Sequence, residues 1–243
     1  MFLPPKGDKL IFVKVLPARI PILDIPIPVS HKDHRGEMSA TFYIPPTVCN
    51  LNCYGCHNRA MFNPKGAKFM TVEKLVGKIR QLNLLGVRWF IISGGEPTLY
   101  KHLELLLGLV RKHFRGFIRL DTNGTKPDRV KTIFEHGLID AVAVDIKIPL
   151  RNVYKKSYCE ILFSTKVGKY CKNLEKTLSD YRKNLQKTVE VAENYSENNL
   201  YRTVLYPLFD TEDVKLLEED LKSLGISEKH SFNPFVSPKE LTL

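Results

Sequence analysis

The sequence predicts an α/β protein built on a parallel sheet with right-handed crossovers, and three observations carry that expectation. From residue 38 onward, six strand-type segments alternate with five helix-type segments. Two strands, "VRWFIIS" and "DAVAVDIK", are nearly continuous apolar runs, as in parallel strands buried on both faces. The unusual polar residues cluster at strand ends, where parallel α/β folds build their sites. Periodicity alone does not separate an open doubly wound sheet from a partial barrel.

Residues 1–39 form a proline-rich extension. Their frequent prolines forbid a helix and allow only edge strands or extended loops. Residues 40–243 carry the main domain. "MSATFYIP" reads as its first strand and leads into a cysteine loop. "TVEKLVGKIRQLNLLG" reads as a helix with Thr71 as N-cap, an apolar stripe at Val72, Leu75, Val76, Ile79 and Leu82, and Gly86 as its end. "VRWFIIS" is the second strand and "HLELLLGLVRKHF" the next helix. "GFIRLDT", "DRVKTIFEHG" and "DAVAVDIK" continue the alternation. Residues 173–195 make a long amphipathic helix, and "LYRTVLYP", "TEDVKLLEEDLKSLG" and "HSFNPF" supply the last strand, helix and strand.

At 243 residues, with 43% hydrophobic and 26% charged content, the chain reads as one soluble globular unit. No run reaches the roughly 18–20 apolar residues that span a bilayer, so no membrane partner is expected. "MFLPPKGDKL" has no apolar core of a signal peptide. Five unevenly placed cysteines argue against a secreted disulfide framework and for a reducing cytoplasm. Cys159 and Cys171 are expected to be ordinary thiols. The formal charge of +11 permits a nucleic-acid partner, but lysines interleaved with glutamates along the helices favour a solvated surface.

The first chemistry-bearing stretch is "CNLNCYGCHN", with Cys49, Cys53 and Cys56 spaced C-x₃-C-x₂-C. A structural zinc site needs four ligands, commonly as two separated pairs, and no second pair follows. Three close thiolates suit a cubane iron–sulfur cluster that keeps one iron open for chemistry. His57 is a ligand candidate by type, but a role behind the ligands or a merely local one is expected of it. "SGGEPT", "DTNGT" and "DIK" end the next three strands, so the oddities converge on one rim. Gly94 and Gly95 suit a backbone approaching a ligand, with the Glu96 carboxylate available for an ammonium group, or a plain tight turn. Asp121, Asn123 and Gly124 by themselves read as a turn. Asp145, at the end of an apolar strand, needs a partner, and Lys147 lies on the same face.

Cys49-x₃-Cys53-x₂-Cys56 followed by "GGEP" resembles the radical S-adenosylmethionine (SAM) superfamily. "CNLNCYGCHN", "SGGEPTL", "LDTNGTKP" and "VDIKIPL" resemble its glycyl-radical-enzyme activases, most closely the activating proteins of anaerobic ribonucleoside-triphosphate reductase. The resemblance covers about residues 40–235. Gly55 departs from it, because an aromatic that touches the adenine often precedes the third cysteine. The proline-rich segment in place of the usual short opening also departs from it.

The resemblance implies a partial (β/α)₆ barrel. It implies that Cys49, Cys53 and Cys56 hold three irons of a [4Fe–4S] cluster whose fourth iron binds SAM. Gly94, Gly95 and Glu96 would receive the SAM amino group, and Asp121 and Asn123 would lie near the ribose and methionyl end. Asp121 and Asp145 resemble carboxylates that hold a monovalent cation in some activases. Lys147 and Arg202 would meet the SAM carboxylate. The implied reaction is reductive cleavage of SAM to a 5′-deoxyadenosyl radical, fed by a low-potential electron donor, that generates a glycyl radical on a protein partner. A radical enzyme acting on RNA or a small molecule, and a non-catalytic metal-binding module, are the competing readings.

Overall fold

The computed structural model describes residue 17 and residues 19–62 and 68–237. Residues 1–16 of the expected extension, including the stretch read as lacking a signal peptide, lie outside them.

The described extension contributes two short strands, β1 (Arg19–Leu23) and β2 (Val29–Ser30). The first domain strand, β3 (Ser39–Ile44), delivers the chain to the cysteine loop and to a short helix, α1 (His57–Met61). Then come β4 (Phe69–Thr71), α2 (Val72–Leu84), β5 (Trp89–Gly94), α3 (Leu103–His113), β6 (Phe117–Thr122), α4 (Pro127–Glu135) and β7 (Ala141–Asp145). Three helices follow, α5 (Lys156–Phe163), α6 (Val167–Tyr170) and α7 (Leu174–Tyr195). The chain closes with β8 (Leu200–Leu205), α8 (Thr211–Ser223) and β9 (His230–Pro234).

The sheet order is β2-β3-β5-β6-β7-β8-β9, with every neighbour from β3 to β9 parallel and β2 antiparallel at the edge. It is a curled half-barrel, so the six predicted strands stand and the partial barrel is the right alternative. A separate two-stranded ribbon pairs β1 with β4.

Strand alternation gives the half-barrel two unlike faces. Phe90, Ile92, Ile118, Leu120, Val142 and Val144 pack outward in the same core as the helix residues Ile79, Leu107 and Leu185. Between them, Ile91, Arg119, Asp121, Ala141 and Asp145 take the opposite, concave face. Side chains as small as Ala141 and Ala143 leave room there for polar groups.

The cap and stop read for α2 are both present, and two further caps come from the structure. The Thr71 hydroxyl accepts from the Lys74 N–H at 3.2 Å, and Gly86 takes φ +72° just after α2. Asn173 caps α7 by accepting from the Lys176 N–H. Asp210 and Asp213 form a reciprocal capping box on α8. Among the described residues no helix is long and apolar enough to cross a membrane.

One expectation is corrected. Cys159 and Cys171 are joined in a disulfide rather than standing as separate thiols, with Cα atoms 6.3 Å apart. The chain reverses after α5 at Ser164 (φ +44°), and α6 returns Cys171 to the buried Cys159. Closing so short a loop stabilises by about 3 kcal/mol. Cys159→Ala or Cys171→Ala should therefore lower resistance to denaturant by about that amount, measured without reductant. Equal unfolding midpoints for variant and oxidised protein would contradict the pairing.

Candidate active site

The cysteine loop is held from below and from both sides. The C-terminal end of α5 leaves carbonyls without helical partners, and the loop supplies donors to them. The Asn52 N–H donates to Leu162 O at 3.0 Å, the Tyr54 N–H to Ile161 O at 2.9 Å, and Asn52 Nδ2 to Phe163 O at 3.0 Å. Arg59 reaches back from α1 to Leu51 O at 2.8 Å. Cys49, Cys53 and Cys56 thereby line one cavity of about 200 Å³, together with Gly94, Gly95 and Lys147.

Burial pushes the Cys49 thiol up and the Cys53 thiol up to about 12, and the Lys147 charge partly opposes this at Cys53. Such thiols ionise when a cationic centre replaces their protons. Among the described residues no three Cys, His, Asp or Glu side chains converge as a single ion requires. A cubane cluster takes each thiolate on a different iron, so three cysteines spread around one cavity fit it.

The turn after β5 is stitched to this loop. The Gly95 N–H donates to Ile44 O at 2.9 Å, the Glu96 N–H to Val48 O at 2.5 Å, and Asn58 Nδ2 to Gly94 O at 2.5 Å. A Cβ on Gly94 would sit 2.1 Å from Ile44 O, and one on Gly95 would sit 2.3 Å from Val48 O. The close backbone approach expected of these glycines is thus satisfied first by the protein's own loop. Both still line the cavity.

Glu96 departs from expectation. Its carboxylate is fully buried rather than available to an ammonium group. It accepts from Thr98 Oγ1 at 2.5 Å, the Thr98 N–H at 3.2 Å, Thr122 Oγ1 at 2.8 Å and the Asn123 N–H at 2.7 Å. Burial raises its pKa, and these donors pull it back. The carboxylate therefore ties the ends of β5 and β6 together. Asn123 continues the connection, donating to Asn50 Oδ1 in the cysteine loop at 2.9 Å. Glu96→Gln would turn an NH₂ against the Asn123 N–H. We expect a loss of about 2–3 kcal/mol, a melting point lower by about 5–10 °C, and weaker SAM binding. An unchanged melting curve would overturn this positioning role.

On the concave face Asp121, Asp145, Lys147 and Arg202 come together as one chain of ion pairs. Arg119 Nε donates to Asp121 Oδ1 at 2.9 Å, and Arg202 bridges Asp121 Oδ2 and Asp145 Oδ1, each at 3.1 Å. Lys147 Nζ completes the chain on Asp145 Oδ2 at 3.1 Å. Burial pushes both carboxyls up, but the cations win. Arg119 and Arg202 hold Asp121 below the ordinary range, and Lys147 and Arg202 do the same for Asp145. Three cations face two carboxylates, which leaves one positive charge for an incoming carboxylate.

These residues also line a second cavity of about 340 Å³ that shares His57, Asn58 and Tyr206 with the first. Sequence reasoning missed several walls of this space. Phe235 lines the cluster cavity, with ring centroids 5.6 Å from Tyr54 and 6.1 Å from Tyr206. His57 Nε2 donates to Val236 O at 2.7 Å, which pins the segment after β9 across the cysteine loop. The only sequence signal of Phe235 was aromatic character next to a strand end.

A family model for the radical SAM superfamily matches residues 43–224. The chain belongs to that superfamily. The cofactors of this radical SAM chain are a [4Fe–4S] cluster and SAM. It is 28% identical over 213 residues to a Methanocaldococcus jannaschii protein named "Putative glycyl-radical enzyme activating enzyme", covering 86% of this chain and 78% of the relative. It is 32% identical over 108 residues to a Pyrococcus horikoshii protein named "Probable GTP 3',8-cyclase", covering 44% of this chain and 34% of that relative. Among solved structures, native anSMEcpe with bound AdoMet and Kp18Cys peptide superimposes with a TM-score of 0.54 at 19% identity, covering 82% of this chain and 52% of that one. Streptococcus suis SuiB bound to precursor peptide SuiA gives a TM-score of 0.52 at 16% identity, covering 80% and 38%. The chain thus spans about half or less of these two structures' length, and at such identities they show the fold alone.

Proposed function

We propose that this radical SAM enzyme is a glycyl-radical-enzyme activase, with an anaerobic ribonucleotide reductase as its foremost partner. The observation that carries the reading is the extent of likeness. The relative bearing an activase name is matched over most of both chains, whereas the cyclase is matched over 44% of this one. The five cysteines leave none for a second cluster once three serve the first and two form the disulfide.

When bound, the cluster and SAM supply a one-electron reductive cleavage that yields a hydrogen-abstracting carbon radical. The protein's own residues bind and orient. Cys49, Cys53 and Cys56 would hold the cluster. The backbone of Gly94 and Gly95 would receive the SAM amino group, and Lys147 and Arg202 would meet its carboxylate. Asp121 and Asp145 keep both cations in place, and Asn123 shapes the wall beside them. Tyr54, Tyr206 and Phe235 exclude water from the cluster side.

The test is anaerobic incubation of the reconstituted protein with reductant, SAM and the candidate reductase. The expected result is a glycyl-radical doublet in the electron paramagnetic resonance spectrum. SAM cleavage with no doublet would overturn the partner assignment. The partial likeness to cyclases favours a second reading, a small-molecule substrate, and turnover of GTP in the same mixture would support that instead.

A further inference from the structure

The described part of the proline-rich extension does more than pack on the domain. Residues 31–37, "HKDHRGE", run between β2 and β3 and cross the N-terminal mouth of the half-barrel. His34 is buried, its ring stacked on Trp89 of β5 with centroids 3.6 Å apart. Trp89 Nε1 donates to the Glu37 carboxylate. Arg119 of β6 is also buried, and its Nη1 donates to Asp33 O and, at 3.1 Å, to His34 Nδ1. That nitrogen therefore carries no proton, in keeping with a His34 pKa lowered to about 4 by burial and by Arg119. Arg35 Nη2 reaches Asn199 O, just ahead of β8, at 3.4 Å. The loop is thus anchored at three successive points around the barrel floor.

This clamp grips the backbone of residue 33, an exposed aspartate that lines the 340 Å³ cavity. The charges lining that cavity are Asp33, Asp121, Asp145, Arg119, Lys147 and Arg202. Five of them belong to the ion-pair chain described above, which carries one positive charge in excess. The Asp33 carboxylate has no hydrogen bond or ion pair to another described residue. Its charge is nevertheless felt at the cavity wall, since the half-buried Tyr43 phenol is raised by burial and then by Asp33 and Asp121. Asp33 is itself exposed, but the loop that carries it is fixed by buried arginine, histidine and tryptophan.

We infer that Asp33 is a specificity-determining residue, receiving a lysine or arginine side chain close to the reacting glycine of the protein substrate. The inference rests on the activase reading for the nature of that substrate. The radical-generating end of the cavity lies with Asp145, Lys147 and the cysteine loop, and Asp33 stands with Thr41 and Arg119 toward the floor. A segment with its glycine at the first end would carry its cation to the second.

The test measures binding of fluorescent short peptides with a central glycine to the reconstituted protein with SAM bound and no reductant. Peptides with one lysine, norleucine or glutamate near the glycine are compared. Wild type is expected to bind the lysine peptide about fivefold or more tightly than the norleucine peptide. Asp33→Asn should abolish that preference and Asp33→Lys should shift it toward glutamate, while SAM affinity stays within about twofold in both. Equal binding of the peptides by wild type, whether tight or too weak to measure, overturns the inference. So does a preference unchanged in both variants, or one lost together with SAM affinity. Because no reductant is present, a charge preference can hold even if glycyl-radical formation fails, and the two readings fall separately.

Discussion

Cys49→Ala, Cys53→Ala and Cys56→Ala are each expected to abolish both a stable cluster and SAM cleavage. The three thiolates line a single cavity, and two cannot hold a cluster that uses three. The loss should appear as missing cluster absorbance and iron after anaerobic reconstitution, with 5′-deoxyadenosine at background. The fold should survive, since none of the three belongs to the fully buried core. Cys159→Ala and Cys171→Ala should keep cluster and cleavage. Loss of the cluster from either downstream variant while it remains folded would contradict the ligand assignment.

Gly95→Ala is expected to be nearly as severe, though no ligand contact is removed. The new methyl group would meet Val48 O at 2.3 Å and Pro45 O at 2.6 Å, and both are backbone atoms. Neither can rotate away as a side-chain tip can, so the turn just before Cys49 must move. Overpacking of this kind costs about 1–3 kcal/mol, and the rigid neighbours place it at the upper end. The variant should melt lower by about 6–12 °C and reconstitute with sub-stoichiometric iron. A variant with normal iron content and melting point would show that the β5 turn and the cysteine loop are not coupled.

Much of the fold was legible because buried parallel strands and amphipathic helices write different periods. "VRWFIIS" and residues 173–195 could be read directly, and both became the expected elements. The short helices α5 and α6 were not read, since α5 is a brief segment bonded to the cysteine loop and α6 is a single turn leading to the disulfide, neither with a long apolar stripe. The strand-end residues were legible as a group, because four motifs falling on one rim is improbable as chance turns. What each does was less legible. Glu96 looks like a free carboxylate until Thr98, Thr122 and Asn123 are seen to fill its oxygens.

Arg202 and Arg119 illustrate the same limit. Each sits on a strand at the parity of the concave face, yet only the register of β6, β7 and β8 joins them through Asp121 and Asp145. The disulfide was hidden for a related reason: twelve residues of separation say nothing about a reversal at Ser164. Asp33 and Phe235 come from segments flanking the barrel, where no periodicity marks a residue as facing inward.

The central claim, that this enzyme takes hydrogen from a protein glycine, is tested most directly by isotope transfer. The candidate reductase is prepared with α-deuterated glycine and incubated anaerobically with the reconstituted enzyme, reductant and SAM, and the 5′-deoxyadenosine is analysed by mass spectrometry. The account predicts one deuterium in the 5′-deoxyadenosine, in proportion to the glycyl radical formed. Unlabelled 5′-deoxyadenosine from SAM that has been fully cleaved would contradict it.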